Sequence, residues 1–300
     1  MPRLVSLIAS ATEIVDALGM LDHLVGRSHE CDFPERVRDL PVCTRPRIAV
    51  DGSSREIDRL VKESARESVS IYEVFDDVLE RLEPTHILTQ IQCEVCAVSL
   101  RDIEAAFARG MQGHPQVVSL QPDSLDGIWD DIRRVARSIG VQERGEAVVE
   151  RLKRRLLGLG RERFVPGPRV ACIEWIEPMM AAGNWTPELI EMAGAVNLFG
   201  EAGKHSPWMN WEDLVAADPD VIIVAPCGFD LERTEREMYW LTGRPEFERF
   251  RSRVFLADGN QYFNRPGPRV VETFEILTEI LNPGQPARLR GSAWRDMMSR

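Results

Sequence analysis

Short apolar runs alternate along this chain with stretches in which apolar residues recur every third or fourth position, the pattern of strands interleaved with helices. Arg3-Leu-Val-Ser-Leu-Ile8 predicts a buried strand. The helix after it carries Ile14, Leu18 and Leu21 on one face, with Ser10 or Thr12 as its cap and Gly19 near its end. Leu24-Val-Gly26 predicts a second strand running into the polar stretch Arg27-Ser-His-Glu-Cys-Asp-Phe-Pro34, and α/β folds place ligand contacts at such strand ends. Leu40–Val50, with its prolines, reads as a loop, and Ser53 and Ser54 open a helix bearing Ile57, Leu60 and Val61. A strand at Ile71, a helix within Val74–Leu82 and strands over Pro84–Gln90 and Val117–Leu120 follow. Ser124 then caps a helix with Ile128, Ile132, Val135 and Ile139 in register, closed by Gly140.

A long amphipathic pattern over Gln142–Arg163 lies near the middle of the sequence. Val148, Val149, Leu152, Leu156 and Leu159 make one narrow stripe in an otherwise charged surface, and Arg163-Phe-Val-Pro-Gly-Pro168 ends it. Beyond it the pattern begins again. Arg169–Ile173 is a strand, Trp175–Trp185 a loop rich in Met and Trp, and Thr186-Pro187 the start of a helix. Asp218–Ala225 ends in Pro226-Cys-Gly228, Val254–Ala257 is the last strand, and Arg269–Leu281 the closing helix. The halves echo each other: Glu13-Ile-Val-Asp-Ala-Leu-Gly19 matches Glu188-Leu-Ile-Glu-Met-Ala-Gly194 in type, and Glu83-Pro-Thr-His-Ile-Leu-Thr matches Asp218-Pro-Asp-Val-Ile-Ile-Val. The prediction is an α/β fold of two parallel-sheet lobes joined by one long bridging helix. The lobes span 1–122 and 168–282, with a helical connection over 123–167 and a loose tail over 283–300.

Three hundred residues with 44% hydrophobic and 28% charged content suit a globular protein with a substantial core. A formal net charge of −11 argues against nucleic acid or an anionic membrane as the main partner. No apolar run approaches the ~20 residues of a membrane span. Leu4–Ala11 ends like a signal-peptidase site but lies too close to Met1 for a secretory signal, so it is assigned to the first strand. Six cysteines, two of them in Cys93-Glu-Val-Cys96, suit a reducing compartment, and the expectation is a cytoplasmic chain.

The ordered set Pro2-Arg-Leu-Val-Ser-Leu with Ala11-Thr-Glu13, Val25-Gly26, Pro207-Trp208, Asp218-Pro-Asp220 and Arg265-Pro-Gly-Pro-Arg269 resembles the helix-linked substrate-binding proteins of ABC importers, in their cobalamin-binding branch. His29-Glu-Cys-Asp32 and Thr89–Ser99 look like a leaderless subgroup of that branch. The resemblance covers roughly residues 2 to 282. It implies a ligand clasped between two lobes, cobalamin or another corrinoid first and haem or an iron chelate as the alternative, with no covalent chemistry and hence no enzyme. It also implies a periplasmic location as the alternative to the cytoplasm.

A corrinoid is a broad, partly apolar disc with amide arms, which calls for aromatic walls and a few polar contacts. Trp175, Trp185, Trp208 and Trp211 cluster in one quarter of the chain on predicted loops, and core packing is the other use for each. By the family motif Trp208 is a wall of the site and Trp175 a second contact. Arg265, in Tyr262-Phe263-Asn-Arg-Pro, meets ligand amides or phosphate, and Glu30, beside His29, stands where the family places an aromatic contact. His29, Cys31, Cys93 and Cys96 form a second constellation. Zinc or iron ligands, a reversible disulfide, buried thiols and a thiol-dependent enzyme are all consistent with those residue types. The resemblance further places Glu56 and Glu212, one acid on each lobe, near positions that dock onto an ABC permease.

Overall fold

The apolar runs become strands of two separate sheets, each in its own unit. The computed structural model describes residues 1–67, 70–90, 103, 114–159, 167–250, 253–284 and 286–297. One unit comprises Met1–Gly52, Arg59–Pro122 and Asp126–Arg151, the other Ser53–Asp58, Asp123–Leu125 and Leu152–Arg300.

In the first unit the strands are β1 (Leu4–Ser6), β2 (Leu24–Arg27), β3 (Thr44–Pro46), β4 (Tyr72–Val74), β5 (His86–Gln90) and β6 (Gln116–Leu120). A parallel sheet runs in the order β2-β1-β5-β6, while β3 and β4 form an antiparallel pair of their own. Val5, Leu7, Cys43, Ile71, Tyr72, Leu79 and Ile87 make its core. Two expectations change here. Leu40–Val50 is not all loop, because β3 lies inside it; its proline stands on a short two-stranded edge, where a missing N–H costs little. Neither Ser10 nor Thr12 caps the first helix. β1 feeds straight into Ala9–Ala17 with Ile8 at the cap position, both hydroxyl residues lie buried inside the helix, and the Thr12 hydroxyl is 3.0 Å from the Cys31 sulfur.

In the second unit the strands are β7 (Arg169–Trp175), β8 (Met180–Ala181), β9 (Val196–Asn197), β10 (Val221–Val224), β11 (Val254–Ala257) and β12 (Trp294–Asp296). The sheet order is β12-β11-β10-β7-β8, with β9 also on β7; β7, β10 and β11 are parallel, and β8 and β12 run antiparallel to their neighbours. Ile173, Ile222, Val224, Leu231, Phe247, Phe250 and Leu256 are among its core residues. The long helix is described over Gln142–Leu159, with Val148, Val149, Leu152 and Leu156 buried as its stripe predicts. The predicted continuation to Arg163 lies outside the described residues.

The internal echo of the sequence is a repeat of backbone conformation. Gly19 and Gly194 both take positive φ, at 68° and 86°, after helices of matching sequence. Each is closed by the same pair of bonds, Met20 N–H to Val15 O with Gly19 N–H to Asp16 O, and Ala195 N–H to Ile190 O with Gly194 N–H to Glu191 O. Glu83 and Asp218, which precede the two matched prolines, are both left-handed helix caps with φ of 44° and 42°. After them the chain enters β5 and β10, which pair in parallel with β1 and β7.

The C-terminal stretch corrects a third expectation, since residues 286–297 are not a loose tail. Trp294–Asp296 adds β12 to β11, and the carboxylate of Glu279, on helix Val270–Leu281, accepts Arg288 N–H at 2.8 Å, Leu289 N–H at 3.1 Å and Trp294 Nε1–H at 2.6 Å. Charge-assisted bonds from three donors outweigh the polar composition that suggested disorder. Glu279→Ala strands those donors and costs about 2 kcal/mol. Limited trypsin digestion read by mass spectrometry then shows faster cleavage after Arg288 and Arg290, while helix Val270–Leu281 stays intact.

Candidate functional site

Parallel strands gather their carboxyl ends at one edge of a sheet, and the loops there are the natural place for a ligand. In the first unit β2 ends in Ser28-His29-Glu30-Cys31. The half-buried His29 ring is fixed from two sides: Nδ1 shares a 2.8 Å hydrogen bond with Thr44 Oγ1, and the Tyr72 ring lies 5.5 Å away. Thr44 Oγ1 also accepts the His29 backbone N–H at 3.2 Å, so β3 and β4 serve as the brace of this loop. Burial, reinforced by the Arg27 charge, pushes His29 down to about 4, so the imidazole is neutral at neutral pH. Its Nε2 lies 3.8 Å from Glu30 Oε1, and the Glu30 side chain is 44% exposed.

Cys31 is buried, with the Thr12 and Ser28 hydroxyls at 3.0 and 3.5 Å from its sulfur, and burial pushes its thiol up. Burial likewise raises Cys43 to about 12. These two sulfurs are protonated packing groups. Cys93 and Cys96 lie outside the described residues. Among the described residues no group of three or more His, Cys, Asp or Glu is arranged to hold a metal ion.

In the second unit the predicted tryptophans separate by role. Trp175 ends β7, donates Nε1–H to Ser54 O at 3.2 Å and lies 5.3 Å from the Phe229 ring. Trp208 bridges to Met180, the register partner of Trp175, and is 54% exposed; these two rings therefore belong to the same end of the sheet. Trp185, only 5% exposed, is no open wall: its Nε1–H is spent on Phe263 O at 3.2 Å. Trp211 is core, edge-on to Phe250 and donating to Glu246 Oε2 at 2.9 Å.

β11 ends in a wide turn, Gly259–Phe263, whose return bond runs from Asn264 N–H to Gly259 O five residues back, a geometry common at functional sites. Asp258 caps it by accepting Gln261 N–H at 2.7 Å, and Asn264 Nδ2 pins it to Gly259 O at 3.1 Å and to Ala225 O at 3.0 Å. Arg265, 4% exposed, reaches Asn260 Oδ1 at 3.3 Å. Arg269 donates to Gln261 Oε1 at 2.8 Å and covers the Tyr262 ring at 5.3 Å. Phe263 is buried and Tyr262 half-buried. Of the residues singled out in the sequence, Tyr262, Phe263 and Arg265 lie on or beside this turn; Asp258, Gln261, Asn264 and Arg269, which shape it, were not among them. An acidic residue directly after a strand and followed by Gly-Asn was the available signal.

The two acidic docking candidates, Glu56 and Glu212, are exposed in first helical turns. Ser53–Asp58 belongs by its contacts to the second unit, so both acids fall in one unit and not one on each lobe. Its ties there include Glu237, whose carboxylate accepts the Ser54 N–H at 3.0 Å and hydroxyl at 2.9 Å, and Glu177, paired with Arg55 at 2.9 Å. No helix among the described residues is long and apolar enough to cross a membrane.

Residues 4–247 match a family model described as periplasmic binding protein. The chain is 21% identical over 287 residues to the vitamin B12-binding protein of Vibrio cholerae, covering 94% of this chain and 90% of that one. Solved structures with the same fold include the periplasmic vitamin B12 binding protein BtuF of Vibrio cholerae, with TM-score 0.61 and 19% identity over 93% of this chain and 96% of that one. The apo form of the periplasmic heme-binding protein RhuT from Roseiflexus sp. RS-1 gives TM-score 0.65 and 23% identity, over 93% and 97% of the two chains.

Proposed function

Because the chain belongs to the periplasmic binding protein family, we propose that it is a non-catalytic substrate-binding protein of the ABC-transporter type whose ligand is a corrinoid, cobalamin first. The observation that carries this reading is Trp208, a large residue more than half exposed, joined in register through Met180 to Trp175 at the carboxyl end of β7. A flat, partly apolar disc gains most from such a surface. On the second unit the half-buried Tyr262 is the candidate polar contact, with the buried Arg265 on the same turn; the candidates of the first unit are His29 and Glu30. Haem or an iron chelate is the second reading. It is favoured by the neutral His29 imidazole, whose Nδ1 is engaged and whose Nε2 faces a carboxylate, and by the heme-binding structural relatives. Of the zinc or iron ligands expected from the sequence, Cys31 is a buried thiol, and Cys93 and Cys96 lie outside the described residues.

Docking onto an ABC permease through Glu56 and Glu212 is part of the proposal. The two solved relatives are periplasmic by name, which favours the periplasm over the cytoplasm expected from the sequence. Leu4–Ser6 lies between β2 and β5 in the sheet, and Ala9-Ser10-Ala11 opens the first helix.

Calorimetric titration of the purified protein with cobalamin, with the visible spectrum followed in parallel, tests the ligand. Saturable one-to-one binding is expected, and Trp208→Ala weakens it about tenfold. A protein that ignores cobalamin and saturates with haemin is a haem binder. One that is folded and takes neither would falsify both readings.

A further inference from the structure

The turn that carries Tyr262 and Arg265 is held from below by a buried carboxylate. Asp258 is 6% exposed; its backbone N–H is spent on Ala293 O at 2.9 Å, and its Oδ1 takes the Gln261 N–H at 2.7 Å. Gln261 in turn holds Arg269 through Oε1 at 2.8 Å, and Arg269 lies over the Tyr262 ring. One carboxylate thus organises the cap, the second arginine and the half-buried Tyr262. Charges face it from each neighbouring element. Arg265 on its own turn attracts it; Asp230, the N-cap of helix Leu231–Glu237, repels it. Arg233 of that helix is engaged over the Phe229 ring, and Arg295 on β12 with Glu232 and Glu235. Arg269, Glu272 and Arg288 act on Tyr262.

We propose that Asp258 is a positioning residue for the ligand: its ionised carboxylate, accepting Gln261 N–H, holds the Gly259–Phe263 turn in the binding geometry, so that the ligand is held at neutral pH and released on mild acidification. The inference rests on the assignment of this turn to the ligand site. An ionised acceptor makes the Gln261 bond charge-assisted and balances Arg265; a neutral one does neither. Burial, opposed by the Gln261 bond and Arg265, raises Asp258 to about 6, so the change of state falls within a mild pH interval.

Two measurements on the intact protein separate this device from the ligand assignment. Without ligand, the Gln261 amide resonance, followed in nitrogen-15 glutamine-labelled protein, titrates with a midpoint near pH 6, and the transition vanishes in Asp258→Asn. With cobalamin, the wild-type Kd rises about fivefold or more between pH 7.5 and pH 5, whereas Asp258→Asn binds at the weak level throughout. A flat Gln261 resonance between those limits overturns the proposal, and so does a wild-type pH dependence of binding that survives in Asp258→Asn. If the resonance titrates as expected but cobalamin does not bind at any pH, the carboxylate device stands and the ligand assignment fails.

Discussion

Gly259→Ala destabilises the protein by on the order of 3 kcal/mol and abolishes ligand binding. A Cβ on Gly259 would meet the Pro226 carbonyl oxygen at 2.1 Å and the Ala225 carbonyl oxygen at 2.6 Å. Those oxygens are backbone, placed directly after β10, a strand hydrogen-bonded on both sides by β7 and β11. No rotamer change relieves such a clash, so the turn itself must lift. Lifting it breaks Gly259 N–H to Phe229 O and the bonds of Asn264, and displaces Tyr262 and Arg265. Urea denaturation reads the loss as a lower midpoint at unchanged slope. Gly158→Ala is the control: nothing lies within 4 Å of its added Cβ, the residue is helical, and alanine there is neutral or stabilising. Equal midpoints for Gly259→Ala and the wild type would mean that the turn is free to move and that the close approach has no consequence.

Asp258→Asn, in contrast, makes the protein more stable at pH 8. The folded-state value of Asp258 lies near 6, above the ordinary 3.8. Between those limits the folded state keeps a proton that the unfolded chain has lost, so stability falls as pH rises from 3.8 to about 6 and stays low above it. The shift corresponds to up to about 3 kcal/mol. Asparagine still accepts the Gln261 N–H but carries no buried charge, and so removes most of that penalty. Thermal melts at about pH 4 and pH 8 measure it. The variant's advantage is small at the lower value and several degrees at the higher one. A variant less stable than wild type at pH 8 would show that the Arg265 attraction exceeds the cost of burial. With the binding measurement above, this makes Asp258 a residue that trades stability for ligand geometry.

The α/β class was legible because it rests on periodicity, and periodicity survives without tertiary context. The repeat was legible for a sharper reason. Gly19 and Gly194 are required by positive φ, and Pro84 and Pro219 follow acidic caps, so the matched letters encode matched dihedrals. What could not be read depended on partners distant in sequence. β3 exists because Thr44–Pro46 pairs with β4 across a helix, and residues 286–297 are ordered because Glu279 collects three donors. The same holds at the site. Positions of the aromatic and basic residues at strand ends followed from the element order. Their orientations did not: nothing local marks Trp185 as the anchor of Phe263 or Thr44 as the brace of His29.

The latch at Glu279 also keeps the molecule from sticking to itself. β11 would otherwise be the border of the second sheet, a strand of Val, Phe, Leu and Ala with a row of unclaimed backbone donors and acceptors. β12, pairing Phe255 with Asp296, Leu256 with Arg295 and Ala257 with Trp294, covers that row with a short segment carrying charge. Without residues 286–297 the sheet would lose buried Leu289, Ala293 and Trp294 and the Ala293 carbonyl that accepts Asp258 N–H, and it would bare a greasy border that a second copy can extend. Residues 286–297 thus act as a guard against self-association more than as an appendage.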